Sequence, residues 1–252
     1  MMPLKMRVLF RFLGRRAVVP LAQCVHYGAF RYGRGEPHPY ETYARKIVSE
    51  GDRGAARAWL VEFLRHYRPR NFGEALGVEL GGKHGLWHYP WARRVPADDG
   101  WFVDPLGYPD IITQFCEEGI PWFRIEQEFF WLERAIFSIR RNGFLEDRYN
   151  GITARKLVQA DGAEVFLVLD GNHRVSALAA LGHDTVPLHY LPVATVRERA
   201  VQSWTQVRAG RYTEADARAV LRAYFIGNAR WRTTDTPAPL LECPPSESVV
   251  PP

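Results

Sequence analysis

Five successive residues near the middle of the second half combine side chains that can bind or transfer charged groups: Asp170, Gly171, Asn172, His173 and Arg174. They follow an apolar run at 165–169 and precede a pattern typical of a helix at 175–181. The first N–H groups of a helix lack intrahelical partners, and the helix dipole favours negative charge there. A strand that turns through glycine into a helix is therefore a candidate anion-binding site.

Each side chain of this segment has a chemical use and a plain structural alternative. Arg174 carries a planar cation that suits phosphate or carboxylate, and Asp170 carries a carboxylate that could hold Mg²⁺ or orient a hydroxyl group. Asp-Gly before a helix is also a common turn, in which the polar side chain only caps the helix. Both interpretations remain open on these residues alone.

The surrounding pattern predicts the elements that position this segment. A hairpin turn is expected at Asp161-Gly162, and its second arm alternates up to Leu169. A strand is expected at 186–190, a helix at about 129–141 and a short strand at 123–125. These elements predict an α+β fold for residues 111–192, a small mixed sheet with flanking helices.

Regions with other patterns flank this predicted domain. Residues 1–110 read as a helical and irregular N-terminal region, and we expect its Gly-, Trp- and Pro-rich part at 81–110 to cover the candidate site. Residues 193–232 predict a C-terminal pair of helices. Residues 233–252 are rich in proline and lack a core pattern, which predicts a disordered tail.

Charge and cysteine content narrow the class of protein. Residues 1–100 hold 17 Lys and Arg against 9 Asp and Glu, and residues 101–252 hold 16 against 19. The basic surplus therefore lies outside the domain that carries the candidate site, which argues against specific DNA binding by that domain. Three widely spaced cysteines favour a reducing compartment, and we expect a cytoplasmic protein. No apolar run approaches a membrane span, although residues 4–16 are basic and apolar enough for weak peripheral membrane contact.

Taken together, three segments resemble the ParB/sulfiredoxin superfamily over about residues 123–192. The first is the helix 132–143, whose Ser138-Ile139 and Asn142-Gly143 match an S-I-x-x-N-G segment. The second is 170–174, and the third is 180–187, which reads A-L-G-H-D-T-V-P. The resemblance implies the small mixed sheet with flanking helices and a nucleotide-binding role.

Within that superfamily, the residues at the helix start separate the activities. ParB proteins resemble G-E-R-R and bind CTP, sulfiredoxins resemble G-C-H-R with a nucleophilic cysteine, and free-serine kinases resemble D-G-H-H-R. Asn172 stands at the position of the cysteine, so sulfiredoxin chemistry is absent. Asp170 and the pair His173-Arg174 look most like the kinase version.

This likeness implies a nucleotide-dependent phosphotransferase, or kinase, that acts on a small hydroxyl-bearing metabolite. It implies ATP or ADP as cofactor, with CTP also possible, and Mg²⁺ at Asp170. Phosphates would lie at Gly171, Asn172, His173 and Arg174, and the catalytic residues would be Glu128, Asp170 and His173. Glu128 fits the position of the kinase general base, although an acidic residue there could simply favour a helix start.

Two other classes remain as alternatives. One is a nucleotide-gated DNA-binding protein of the ParB kind, since two helices joined by 209–212 superficially suit a helix-turn-helix unit. The second of those helices offers Arg218 and Arg222 with acidic neighbours, which are few side chains for reading bases. The other alternative is a catalytically silent interaction domain that keeps the fold.

Overall fold

A computed structural model describes residues 14–33, 37–82, 84–85, 88–92, 122–145, 151–228 and 230. Within these residues the protein is a mixed α+β structure built on one mixed sheet. The sheet has six strands: β1 (Arg15–Pro20), β2 (Cys24–Val25), β3 (Thr153–Val158), β4 (Glu164–Asp170), β5 (Thr185–Tyr190) and β6 (Val196–Arg197).

The strand order is β1-β5-β3-β4-β2, and β6 pairs with the end of β3. Strands β3 and β4 form the expected antiparallel hairpin, whose turn places Gly162 at a φ of 93°. Strand β2 runs parallel to β4, with Cys24 opposite Phe166. Because the carboxyl ends of parallel strands meet at one edge, the chain that leaves β2 comes close to the turn after Asp170.

Seven α-helices lie within the described part of the chain: α1 (Pro39–Glu50), α2 (Arg53–His66), α3 (Phe72–Leu76), α4 (Trp122–Asn142), α5 (Asn172–Ala180), α6 (Thr205–Arg208) and α7 (Glu214–Ile226). Three 3₁₀ segments connect strands and helices, at Leu21–Gln23, Pro192–Ala194 and Glu198–Ser203. Side chains cap several helix starts; the Thr213 hydroxyl, for example, accepts the N–H of Asp216 at 3.0 Å.

Helices cover both faces of the sheet. Strand β4 shows this most clearly, because Phe166 and Val168 belong to one buried cluster while Val165 and Leu167 belong to a second. The first cluster packs against α1, α2, α4 and α5, and the second against α3 and α7. Burial on both faces explains why β4 reads as a nearly continuous apolar run.

The sheet is larger than the predicted domain of 111–192. Strand β1 pairs with β5 and strand β2 with β4, so the N-terminal region contributes two strands and is not only helical and irregular. The β-branched pair Val18-Val19 suits an extended edge strand, and Pro20 ends it. Arg15 and Arg16 therefore lie in a strand, and the rest of the basic stretch at 4–13 lies outside the described residues.

Two further expectations about local structure were wrong. Residues 123–125 form the first turn of α4 and not a strand, because Ile125 continues the buried stripe of Phe129, Leu132 and Ile136. The α-helical pair expected within 193–232 is also incomplete, since β6, a 3₁₀ segment and the four-residue α6 replace its first helix.

The cause of the second difference lies in β6 and the residue that follows it. Val196 pairs with Leu157 of β3, which keeps the chain extended. Glu198 is buried next to it and accepts the backbone N–H of Ala160 at 3.0 Å and the Arg222 guanidinium at 3.1 Å. The proposed tail at 233–252 lies outside the described residues. No helix in the described ranges has the length and apolarity needed to cross a membrane.

Candidate functional site

The candidate site lies where β4 turns into α5. Gly171 adopts a left-handed conformation with a φ of 99°, and α5 begins at the next residue. The first bond of the helix joins the N–H of Val175 to the carbonyl of Gly171 at 2.9 Å. The N–H groups of Asn172 and His173 therefore lie outside the helical ladder, at the positive end of the dipole.

Glycine is required at this turn by both conformation and space. A Cβ atom on Gly171 would lie 3.0 Å from Ile152 and 3.1 Å from Nη2 of Arg174. The Arg174 guanidinium also lies 3.7 Å from Oδ1 of Asp170, in an ion pair across the turn. The turn thus brings one cation and one carboxylate to the start of α5.

Glu128 and His173 form the closest polar contact of the site. Oε2 of Glu128 lies 2.6 Å from Nε2 of His173, which joins α4 to the first turn of α5. The ring of Tyr40, at the start of α1, stacks on the His173 ring with 5.1 Å between centroids. The Tyr40 hydroxyl also interacts with the Glu128 carboxylate and helps to lower its pKa. Three elements far apart in sequence therefore hold this pair.

The environment of Glu128 favours its charged form. Burial alone would raise its pKa, but the charge and hydrogen bond of His173, the Tyr40 hydroxyl and the charge of Arg124 outweigh burial. The pKa of Glu128 consequently lies below its ordinary value. Glu128 is thus an ionised hydrogen-bond acceptor at neutral pH, beside the start of α5.

Aromatic residues from the segment after β2 form a wall on one side of the site. The Tyr32 hydroxyl donates to Oδ1 of Asn172 at 2.8 Å. The His38 ring stacks on Tyr32 at 5.2 Å and meets the edge of Tyr40 at 4.8 Å. Asn172 is therefore anchored by Tyr32, which fixes the orientation of its side-chain amide.

His26 and His38 form a buried neutral pair behind this wall. Nδ1 of His26 accepts the N–H of Gly28, and Nδ1 of His38 accepts the N–H of Tyr40, each at 3.1 Å. In both neutral rings the proton therefore lies on Nε2. Burial lowers both pKa values, His173 reinforces this shift in each, and His38 also lowers the pKa of His26. The two rings are 4.1 Å apart.

The structure brings the predicted site residues together and adds others that the sequence did not indicate. Glu128 and His173 touch, and 170–174 forms the predicted turn into a helix. Tyr32, Tyr40 and the two buried histidines were missed, because only the β2–β4 pairing brings them near α5. His38 carried one local signal, since it precedes Pro39 at a helix start and caps α1.

Residues 81–110 do not cover this site where the structure describes them. Trp91 meets Trp204 at 5.3 Å, and the Tyr212 hydroxyl donates to the carbonyl of His88 at 2.6 Å. These contacts belong to the sheet face opposite α5. Residues 93–110 lie outside the described ranges. The N-terminal wall of the site comes instead from the region of Tyr32 and Tyr40.

The arginines of α7 are poorly placed to read DNA bases. Arg218 and Arg222 both point at buried Glu198, with ion pairs of 3.7 and 3.1 Å, and Arg218 also pairs with Glu214. In addition, α6 has only four residues, which is short for the first helix of a helix-turn-helix unit.

Asp170 is the residue on which the sequence places Mg²⁺. The described residues contain no cluster of three or more His, Cys, Asp or Glu side chains arranged to hold a metal ion. Asp170 could still fit Mg²⁺, because this ion is commonly held by one or two carboxylates together with phosphate oxygens and water. Any magnesium site here would therefore be completed by the phosphates of a nucleotide.

Comparisons with known proteins leave the family open. No protein-family model matches the chain, and no curated protein matches it significantly. The function must therefore be argued from the site itself.

Proposed function

We propose that this protein is a nucleotide-dependent phosphotransferase that phosphorylates the hydroxyl group of a small metabolite. The observation that carries the proposal is the 2.6 Å contact between Glu128 and His173 at the start of α5. It puts an ionised carboxylate next to a helix N-terminus that is suited to phosphate. The resemblance of Asp170–Arg174 to the free-serine kinases supports the same reaction.

The phosphates would lie against the backbone N–H groups of Asn172 and His173. Arg174 would offset the negative charge of the transferred group, as a planar guanidinium can do with two parallel hydrogen bonds. Asp170 would hold Mg²⁺ together with the phosphate oxygens. The 3.7 Å ion pair between Asp170 and Arg174 is long enough to open without the loss of a close hydrogen bond.

Glu128 would accept the proton of the attacking hydroxyl. In the reaction an O–P bond forms to the acceptor oxygen, the bond from phosphorus to the leaving phosphate oxygen breaks, and the hydroxyl proton goes to Glu128. A carboxylate of lowered pKa is a weak base, but phosphoryl transfer has a loose transition state in which orientation counts for more than basicity. Each carboxylate oxygen has two lone pairs, so Glu128 can bind His173 and a substrate hydroxyl together.

The test is a nucleotide panel. ATP, ADP, CTP and GTP are titrated into the protein with Mg²⁺ by calorimetry, and turnover is followed by ³¹P NMR over a pool of hydroxyl-bearing metabolites. We expect saturable binding of at least one adenine nucleotide and one phosphorylated product. Arg174→Ala should weaken that binding, whereas Arg208→Ala, which removes the same charge from an exposed position on α6, should leave it unchanged.

Two results would replace the proposal with one of the alternatives. A parent protein that binds none of the four nucleotides would be a silent interaction domain. A protein that binds CTP and hydrolyses it only in the presence of DNA would belong with the ParB-like DNA-binding proteins.

A further inference from the structure

Helix α4 carries a row of aromatic side chains that are about half exposed. Phe123, Phe130 and Phe137 are 51%, 56% and 45% exposed, although their side chains are apolar. Trp122 and Trp131 beside them are 49% and 48% exposed. Soluble proteins rarely expose a continuous apolar surface of this kind unless it binds something.

The spacing of the three phenylalanines is seven residues. Seven residues come within about 20° of two full helical turns, so the three rings form one stripe along α4. This stripe lies roughly opposite the buried stripe that contains Phe129 and Leu132. A seven-residue repeat of large apolar side chains is the pattern by which one helix packs along another.

Beside the stripe, α2 and α4 enclose a groove of about 500 Å³ with a surplus of positive charge. Its lining includes Phe130, Phe137, Glu126, Glu133 and Arg134 of α4 and, on α2, the two arginines Arg53 and Arg57. The two arginines, 55% and 42% exposed, share the single carboxylate of Glu133. The groove therefore suits an apolar side chain accompanied by an additional carboxylate.

We propose that the occupant is a second copy of this chain, packed through α4 in an antiparallel, two-fold symmetric dimer. With the two-fold axis at Phe130, Phe123 of each copy lies level with Phe137 of the other. The same symmetry carries Glu126 of each copy to the half of the other helix where Arg53 and Arg57 stand. Glu126 is exposed and lines the groove of its own copy without an ion pair to a described residue, so its carboxylate can also balance the arginines of the other copy.

This arrangement is self-complementary, as a two-fold interface must be, because each copy supplies both the aromatic stripe and the groove. Glu128 points away from the stripe toward α5, so the dimer would leave the phosphate site open. The dimer does not depend on the proposed phosphotransfer, and either can fail without the other.

The first test measures the oligomeric state by sedimentation equilibrium of the full chain at increasing concentration. We expect a dimer for the parent. Phe130→Asp places two carboxylates on the symmetry axis and should weaken association at least about a hundredfold. Because Phe130 is exposed in the protomer, the circular dichroism of this variant should match the parent, and its Tm should match that of the parent diluted until it is monomeric. Ile226→Asp, at another exposed apolar position, is the control and should still dimerise.

The second test addresses the charge contact. Glu126→Arg sets a cation against Arg53 and Arg57 of the other copy and should weaken the dimer about tenfold. Glu79→Arg makes the same change of charge at an exposed site far from α4 in sequence, and its dimer should match the parent.

The third test fixes the direction of the helices by disulfide formation, in a chain with Cys116 and Cys243 replaced by serine. Phe130→Cys should cross-link the two copies on oxidation, because residue 130 lies on the two-fold axis. Phe123→Cys should not cross-link them, since antiparallel helices would set its two copies about 21 Å apart along the helix direction. Cross-linking at both positions would indicate parallel helices and overturn the proposal.

Two further outcomes would also overturn it. One is a parent that stays monomeric at about 100 µM, on the order of the dissociation constant of a weak dimer. This result would overturn the proposal whether or not the monomer binds anionic lipid vesicles. The other is a Phe130→Asp variant that dimerises as tightly as the parent.

Discussion

The contact between Glu128 and His173 should be measurable as a coupling free energy in unfolding. The two atoms are 2.6 Å apart, and the side chains are 12% and 28% exposed. A hydrogen bond to a charged group contributes about 1.5–3 kcal/mol, and the partial exposure of the His173 side chain places this pair toward the lower end. We therefore expect a coupling of about 1–2 kcal/mol in a cycle of Glu128→Gln, His173→Ala and the double variant.

Urea unfolding at pH 7, followed by circular dichroism, gives the four free energies of that cycle. A coupling below about 0.3 kcal/mol, the usual additivity error, would refute the reasoning, because the pair would then be near without stabilising the fold. Tyr40→Phe serves as the comparison, since it removes the hydroxyl that helps to lower the pKa of Glu128 and keeps the ring that stacks on His173.

The dependence of this effect on pH follows from the sign of the shift. The pKa of Glu128 is lower in the folded chain than its ordinary value, so ionised Glu128 stabilises the fold above that ordinary value. This stabilisation is lost as the pH falls through the lowered pKa of the folded state.

His26 and His38 also have lowered pKa values, so they reduce the stability of the fold over a higher pH range, which begins near their ordinary pKa. The difference between parent and Glu128→Gln therefore isolates the carboxylate, and it should shrink in acid. A difference that stays constant down to pH about 3, below the ordinary carboxylate range, would contradict the shift.

The remaining predictions concern the site and its turn. Glu128→Gln should reduce turnover about 10²- to 10⁴-fold while nucleotide affinity stays near the parent value, because a base acts on the acceptor; steady-state kinetics and calorimetry separate the two. Arg174→Ala should weaken nucleotide binding roughly ten- to a hundredfold by calorimetry, the effect of about 1.5–3 kcal/mol for a charged hydrogen bond. Asp170→Asn should raise the Mg²⁺ concentration needed for half-maximal turnover and leave Tm near the parent value, as Asp170 is partly exposed. Gly171→Ala should destabilise the fold by about 1–3 kcal/mol in urea, because φ is 99° and the added Cβ would crowd Ile152; equal stability would show that the turn relaxes freely.

Patterns within short stretches of sequence predicted much of the region around the site. The period of 129–139 gave the buried stripe of α4, and the run into Asp170-Gly171 gave β4 and the start of α5. These elements are local, because strand alternation, glycine turns and helix periods act over fewer than about twenty residues. The contact of Glu128 with His173 is not local. The sequence indicated Glu128 as a site residue only through the resemblance in motif order.

What the sequence could not reveal depends on distant pairing. Strand β2 has only two residues, Cys24 and Val25, and its partner on β4 lies more than a hundred residues later. So short a strand has no period of its own, and its extended state is fixed by the neighbouring strand. The aromatic wall of Tyr32 and Tyr40 follows from that pairing. The interruption of the first C-terminal helix has the same origin, since β6 exists because β3 offers it an edge.

The different faces of helix α4 need separate explanations. Its buried stripe packs mainly against α5 and α1, Glu128 faces α5, and the phenylalanine stripe is about half exposed. A helix that served only to present Glu128 would place polar side chains on its outer side, since exposed aromatic rings gain nothing from water. Three phenylalanines in register on that side therefore need a reason apart from the catalytic proposal, and a symmetric partner that buries them supplies one. If the phosphotransfer proposal fails while Phe130→Asp still separates the copies, the outward face of α4 retains its function as an interface.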